Sequence, residues 1–143
     1  MLFLGIIGAG GRFTGSNPAF TPSEFGHHIQ TTQARFLITE PDFLANLAAT
    51  AEASGVKASR TFVIYSSHDD APQNSNSVQH LLHHGEADWN RFHDDDAAKN
   101  TVAALLSTSG TTGLPKAAMM SHYSCVMQNI MLQDSGDKTY SVS

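Results

Sequence analysis

The sequence predicts an α/β fold, and three consecutive segments carry that prediction. Residues 35–38 form a short apolar run that suits a β-strand, and residues 61–65 (TFVIY) are the clearest strand of the chain. Between them, residues 41–54 begin with proline, are rich in Ala and Leu, and stop before Gly55, as helices often do. A strand, a helix and a second strand in this order predict a parallel βαβ crossover.

Local signals predict the elements on either side of this unit. The apolar opening, residues 1–7, lacks a basic segment and a cleavage pattern and is far shorter than the ~20 residues that span a membrane, so we expect the end of a buried helix. Glycines at positions 8, 10 and 11 then allow a tight helix-to-strand turn. Residues 22–33 are predicted to form a helix, because Pro22 and Glu24 occupy its first turn.

The second half of the chain alternates between polar stretches and short ordered elements. We expect, in order, a mobile polar loop at 66–77, a short helix at 78–84, a solvated loop through Asp94–Asp96, strands at 101–107 and 116–120, a helix at 121–133, and a polar, unclosed tail at 134–143.

Composition excludes several classes of partner. The chain has 143 residues, a net charge of −5 and scattered charges, so one domain is expected, without a nucleic-acid or anionic membrane partner. A single cysteine, Cys125, excludes an internal disulfide framework and favours a reducing compartment. We expect Cys125 to face a helix core and to be unreactive.

The stretch most informative about chemistry is residues 108–116 (TSGTTGLPK), which combines four hydroxyls, two glycines and a lysine between two ordered elements. Glycine lets backbone N–H groups approach phosphate oxygens, while hydroxyls add donors and Lys116 adds a positive charge. The spacing is not that of a Walker A loop, since two residues separate Gly110 from Gly113 and Ala117 follows Lys116. Ser/Thr/Gly clusters ending in proline also occur in ordinary surface loops, although the whole nine-residue string favours a phosphate loop.

Residues 107–122 (STSGTTGLPKAAMMSH) resemble the phosphate-binding signature of the adenylate-forming superfamily, which includes acyl-CoA synthetases, coumarate–CoA ligases, luciferases and peptide-synthetase adenylation domains. Residues 11–24 (GRFTGSNPAFTPSE) resemble the A-N-P-x-Y-T-P-x-E-L segment of its acyl- and aryl-CoA ligases. In its finer details, the amino-acid sequence is most similar to the sequences of the coumarate–CoA-ligase-like enzymes of fungi. Thr108 keeps the hydroxyl of the family's usual serine, whereas Ala117 replaces a common glycine and Ser107 stands where an aromatic residue is frequent.

The resemblance implies a function and a set of ligands. The family uses ATP, Mg²⁺ and CoA to convert a small carboxylic acid into an acyl-adenylate and then a thioester, in the cytoplasm or the peroxisome rather than outside the cell. It also implies which residues bind the ATP phosphates: Thr108, Ser109, Gly110, Thr111, Thr112, Gly113 and Lys116.

By the same resemblance, the chain is expected to be a part of an enzyme. Residues 1–143 correspond to an incomplete segment of the large N-terminal AMP-binding domain, with no catalytic residue in this segment. The family's downstream adenine and ribose contacts, its hinge and its small domain with the catalytic lysine do not appear. We therefore expect the isolated chain to be inactive; the alternative is a short non-catalytic protein that binds a nucleotide or a partner.

Two other patterns invite different interpretations. Residues 8–13 (GAGGRF) imitate a dinucleotide-binding fingerprint, with Glu40 as its ribose ligand, but Phe13 occupies the last glycine position and no helix should begin there. His80 and His84 are spaced as two zinc ligands on one helical face, and a solvated polar face accounts for them equally well. We expect His122 to pack or cap at the start of the last helix rather than act as a base.

Overall fold

The computed structural model describes residues 2–65, 76–108 and 116–134. Single 3₁₀ turns lie at Ala58–Arg60 and Leu82–His84. The helices of the described residues are α1 (Leu2–Gly8), α2 (Pro22–Thr32), α3 (Pro41–Ala53), α4 (Val78–Leu81), α5 (Asp95–Asn100) and α6 (His122–Asp134). The strands are β1 (Phe13–Thr14), β2 (Leu37–Thr39), β3 (Thr61–Val63), β4 (Val102–Thr108) and β5 (Lys116–Ser121).

The described residues fall into two compact units. The first unit comprises residues 2–13, 89–106 and 119–134, and the second comprises residues 14–65, 76–88, 107–108 and 116–118. One sheet has the strand order β1-β4-β5, and the other pairs β2 with β3. The second unit contains the βαβ crossover and both described ends of the predicted phosphate loop.

The parallel crossover predicted from the sequence is confirmed. Strands β2 and β3 pair in parallel, with Leu37 opposite Thr61 and Thr39 opposite Val63, and α3 connects them. Gly55, which follows α3, has a φ of 95°, a left-handed conformation that glycine adopts without a Cβ penalty. The helix therefore stops where the sequence predicts.

The core of the second unit lies between α2 and α3. Phe25 and Ile29 of α2 pack with Ala51 and Val56, and each of these four side chains is no more than 4% exposed. Burial of such apolar side chains contributes about 1.5–3 kcal/mol for a large residue. This cluster fixes the position of α2.

The start of α2 is held by a capping box. The Thr21 N–H donates to Glu24 Oε2 at 2.8 Å, and the Glu24 N–H donates to Thr21 Oγ1 at 3.3 Å. These reciprocal bonds satisfy two backbone donors that a helix end would otherwise leave without partners. Donation to Glu24 Oε2 from the Thr21 N–H, and from the Thr21 hydroxyl at 2.8 Å, lowers the pKa of the Glu24 carboxyl because both bonds favour its charged form.

In the first unit, α5 packs against α6. The Lys99 ammonium lies 4.9 Å from the centroid of the Tyr123 ring, and Ala103, Ala104 and Leu105 of β4 are buried. Along α6 the larger apolar side chains Val126, Ile130, Met131 and Leu132 are exposed.

The prediction of a solvated loop through Asp94–Asp96 is wrong. The Asp94 carboxylate accepts hydrogen bonds from the N–H groups of Asp96 and Ala97, both at 3.2 Å, and so caps α5. Asp95 and Asp96 occupy the first turn of that helix, where negative charge is favourable. The acidic run is thus a helix start.

Other predictions are confirmed in part or lie outside the described residues. The opening segment is helical, but Gly8 is the one buried residue of α1, so the helix is less buried than expected. The predicted helix at 78–84 changes from α to 3₁₀ geometry after Leu81. Residues 66–75 of the predicted polar loop and 135–143 of the predicted tail lie outside the described residues.

Removal of a core side chain between α2 and α3 should destabilise the chain. We expect Ile29→Ala to lower the free energy of unfolding by about 2–5 kcal/mol, because it leaves a cavity beside Phe25 and Val56. Urea titration followed by circular dichroism measures this change. Ile130→Ala is the matched control, since Ile130 is 48% exposed; an equal effect of the two substitutions would contradict the assignment of the core.

Candidate functional site

The candidate site begins where two neighbouring strands meet the predicted phosphate loop. Strand β4 ends at Thr108 and β5 begins at Lys116, and the two strands are adjacent in their sheet. The Thr108 hydroxyl donates to the Lys116 carbonyl oxygen at 3.3 Å, which joins the two ends of the loop. The five other predicted phosphate ligands lie outside the described residues, and their roles stay predictions: Ser109, Gly110, Thr111, Thr112 and Gly113.

Lys116 and Thr108, the two predicted phosphate ligands that the structure describes, differ in how accessible their donor groups are to an anion. The Lys116 residue is exposed, so its ammonium is accessible to a phosphate in solution. The Thr108 hydroxyl has one proton, which it donates to the Lys116 carbonyl. Donation from Thr108 to a phosphate would therefore require that this bond be exchanged for the new one.

A buried histidine of α2 contacts the strand that leads into the loop. His28 is 7% exposed, and its Nδ1 lies 3.1 Å from the Ser107 hydroxyl oxygen. Its Nε2 lies 3.2 Å from the Thr14 hydroxyl oxygen, at the end of β1. One imidazole thus connects two strand ends, and Ser107 directly precedes Thr108.

The segment before α2 also packs on this histidine. The Phe20 ring centroid lies 6.0 Å from that of His28. A turn shapes this approach, since the Phe20 N–H donates to the Asn17 carbonyl and the Ala19 N–H donates to the Asn17 side chain. The turn lies within residues 11–24, one of the two segments that carry the resemblance.

His28 was not identified from the sequence, although a signal for its burial is present. Phe25, Ile29 and Thr32 are buried on the same helix, at spacings that place them and His28 on one side of α2. That helical spacing predicts a buried histidine. Its partners could not be predicted, because Ser107 is 79 positions away.

Burial determines the charge state of His28. Removal from water lowers the pKa of its imidazole below the ordinary value of 6.5, and the nearby His27 lowers that pKa further. His28 is therefore neutral at neutral pH. A neutral imidazole has one donor and one acceptor nitrogen, and both hydroxyl partners can take either role.

His122 has the surroundings that the sequence predicts, whereas Cys125 is only partly buried and does not face a helix core as predicted. His122 is the first residue of α6, and its ring centroid lies 4.4 Å from that of Phe92, so it packs at the helix start. Its backbone N–H donates to the Thr101 carbonyl at 3.1 Å. Cys125 lies 3.2 Å from the Met120 sulfur, and burial raises the pKa of its thiol, which disfavours the reactive thiolate.

The alternative motifs have the following places in the fold. His80 lies in α4 and His84 in the 3₁₀ turn that follows, so the two do not share a continuous α-helical face as the zinc interpretation required. Within the described ranges, no group of three or more potential metal ligands occurs. Phe13 enters β1 rather than a helix, which confirms that the dinucleotide-binding fingerprint fails.

Because burial lowers the pKa of His28, protonation of its imidazole at low pH destabilises the folded chain. The unfolded chain takes up this proton at higher pH than the folded chain, so the contribution of His28 is present above about pH 6.5 and is lost as the pH falls through its folded pKa. We expect the difference in unfolding free energy between the wild type and His28→Gln to shrink between about pH 7.5 and about pH 5. Urea titrations at a series of pH values measure this difference.

Thr31→Ala serves as the control for that series, because Thr31 bonds to His27 on the exposed side of the same helix. Its curve should stay parallel to that of the wild type. A difference between wild type and His28→Gln that is the same at every pH would contradict the assigned burial of His28.

The chain is similar to known proteins in sequence and in fold. Residues 1–142 match the family described as "AMP-binding enzyme". The chain is 38% identical over 138 residues to acyl-CoA ligase azaF of Aspergillus niger, covering 94% of this chain and 26% of that protein. It is 44% identical over 123 residues to acyl-CoA synthetase ACTT5 of Alternaria alternata, covering 86% of this chain and 21% of that protein.

A solved structure has the same fold. The ATP-bound MatB of Rhodopseudomonas palustris superposes with a TM-score of 0.65 at 26% identity, covering 93% of this chain and 24% of that one. The chain thus spans about a quarter of the length of the relatives it matches. Since the family match extends over nearly all of its residues, this chain belongs to the AMP-binding enzyme family.

Proposed function

We propose that the chain is the phosphate-binding part of an ATP-dependent acyl- or aryl-CoA ligase. Its named relatives are an acyl-CoA ligase and an acyl-CoA synthetase, and the solved MatB structure contains ATP. The observation that carries the proposal is the hydrogen bond between Thr108 and Lys116, the described ends of this segment, with Lys116 exposed. The reaction joins a small carboxylic acid to CoA through an acyl-adenylate, with release of pyrophosphate.

The residues at this loop fit a polyphosphate chain. Lys116 offers a point charge, Thr108 a hydroxyl, and the glycines at 110 and 113 leave room for backbone N–H groups to approach oxygen atoms. We propose that Ser109, Thr111 and Thr112 contribute the remaining hydroxyl donors. Such a loop stabilises the charge that develops on the phosphates by position and electrostatics rather than by covalent chemistry.

Three ligands belong to this proposal. When bound, ATP supplies the anhydride that activates the carboxylate, Mg²⁺ neutralises phosphate charge, and CoA supplies the acceptor thiol. The role of this chain is to hold the β- and γ-phosphates while pyrophosphate leaves.

No helix among the described residues is long and apolar enough to cross a membrane.

The 143-residue chain alone should not form an acyl-adenylate. It spans about a quarter of its relatives, and we assign no catalytic residue to it, so the reacting carboxylate would lack most of its site. ATP–pyrophosphate exchange with a panel of carboxylic acids measures this activity. Exchange above the background of a Lys116→Ala preparation, with any acid, would contradict the prediction.

Triphosphate binding should depend on the loop. We expect Lys116→Ala combined with Thr111→Ala to weaken ATP binding by about 100-fold or more, because each of the two lost hydrogen bonds to a charged phosphate contributes about 1.5–3 kcal/mol and about 1.4 kcal/mol corresponds to a tenfold change. Isothermal titration calorimetry with ATP and Mg²⁺ measures the affinity.

Lys99→Ala combined with Thr31→Ala is the matched control for that pair. Lys99 is exposed and pairs with Asp95, and the exposed Thr31 bonds to His27, so this variant loses the same side-chain types away from the loop. Equal weakening by the control pair, or no ATP binding by the wild type, would count against a phosphate loop at residues 108–116.

A further inference from the structure

We propose that His28 is a positioning residue for the phosphate loop. Through Ser107 it fixes the end of β4 from which the loop departs, although His28 is not one of the residues assigned to the phosphates. The inference rests on the proposed function and names the group that holds this loop in place.

A chain of three side chains supports this role. The Thr14 hydroxyl, the His28 imidazole and the Ser107 hydroxyl are joined by contacts of 3.2 Å and 3.1 Å. The histidine belongs to a helix anchored by the core cluster of Phe25 and Ile29. The strand end that carries Ser107 is therefore joined by hydrogen bonds to a helix that is packed in the core of its unit.

The imidazole is held in one orientation. Both of its nitrogens contact hydroxyls, so a flip of the ring would place carbon atoms where the two hydroxyl oxygens need partners. The ring is 7% exposed and packs near Phe20, which leaves little access for water to replace either bond. The position of Ser107 is thus determined by a buried, neutral ring.

The loop has reason to need such a support. Residues 109–113 include two glycines, and glycine has the largest conformational-entropy cost of ordering of any residue. Fixing one end of the loop before the ligand binds reduces that cost, so affinity rises without a new contact to the ligand. The Thr108–Lys116 hydrogen bond then joins this fixed end to the other end of the loop.

Two substitutions at position 28 separate the two hydrogen bonds. The amide of His28→Asn reaches the place of Nδ1 and can retain the bond to Ser107, whereas the amide of His28→Gln reaches the place of Nε2 and can retain the bond to Thr14. We expect His28→Gln to weaken binding of ATP with Mg²⁺ about 2- to 10-fold, and His28→Asn to change it less than about twofold.

Substitution of Ser107, the other partner of this hydrogen bond, tests the inference independently of His28. Ser107→Ala should weaken ATP binding as much as His28→Gln does, and the double variant should be no weaker than either single one, because both remove the same bond. All affinities are measured calorimetrically on the full 143-residue chain, in buffer where urea titration shows each variant to be folded. A purely structural role would change the urea midpoint and leave the affinity of the folded protein unaltered.

Thr31→Ala controls for loss of a hydroxyl–histidine bond on the exposed side of α2, and it should bind ATP as the wild type does. The inference is overturned if His28→Gln and Ser107→Ala bind ATP as tightly as the wild type while the Lys116→Ala and Thr111→Ala pair binds it weakly. That result would leave the proposed function standing. Absence of ATP binding by the wild type would overturn both, and equal losses in His28→Asn and His28→Gln would overturn the role of Ser107.

Discussion

The unit that carries the candidate site depends on the burial of one side of α2. Phe25 and Ile29 on that side pack with Ala51 and Val56, and His28 is buried on the same side of the helix. The apolar contacts fix the helix, and the fixed helix makes the histidine a rigid hydrogen-bonding group. The packing of α2 in the core therefore also fixes the position of Ser107 at the end of β4.

The capping box and the core act on the same helix from different places. Thr21 and Glu24 set where α2 begins, while Phe25 and Ile29 set which side faces inward. A shift of one residue at the cap would rotate His28 by about 100° and separate it from Ser107. The TPSE residues that resemble a family segment thus have a structural role in helix capping.

The sequence predicts the strands and helices around the candidate site better than it predicts the hydrogen bonds between them. Residues 108–116 were identified from donors, glycines and a lysine, and the structure places both described ends of that segment on adjacent strands. The acidic run at 94–96 was misassigned because a helix cap and a solvated loop favour the same residues, and only the hydrogen bonds of Asp94 distinguish them. The contact of His28 with Ser107 was missed because the two residues lie far apart along the chain.

The sequence by itself determined the α/β class and the parallel crossover of β2, α3 and β3, because periodicity and helix caps act over a few residues, and it predicts a phosphate loop from donor spacing. The tertiary structure alone decided which hydroxyls meet the His28 ring. Thr14 is 14 positions from His28 and Ser107 is 79, so no local signal relates them. Their approach follows from the packing of the helix and the pairing of the strands, which are properties of the folded chain as a whole.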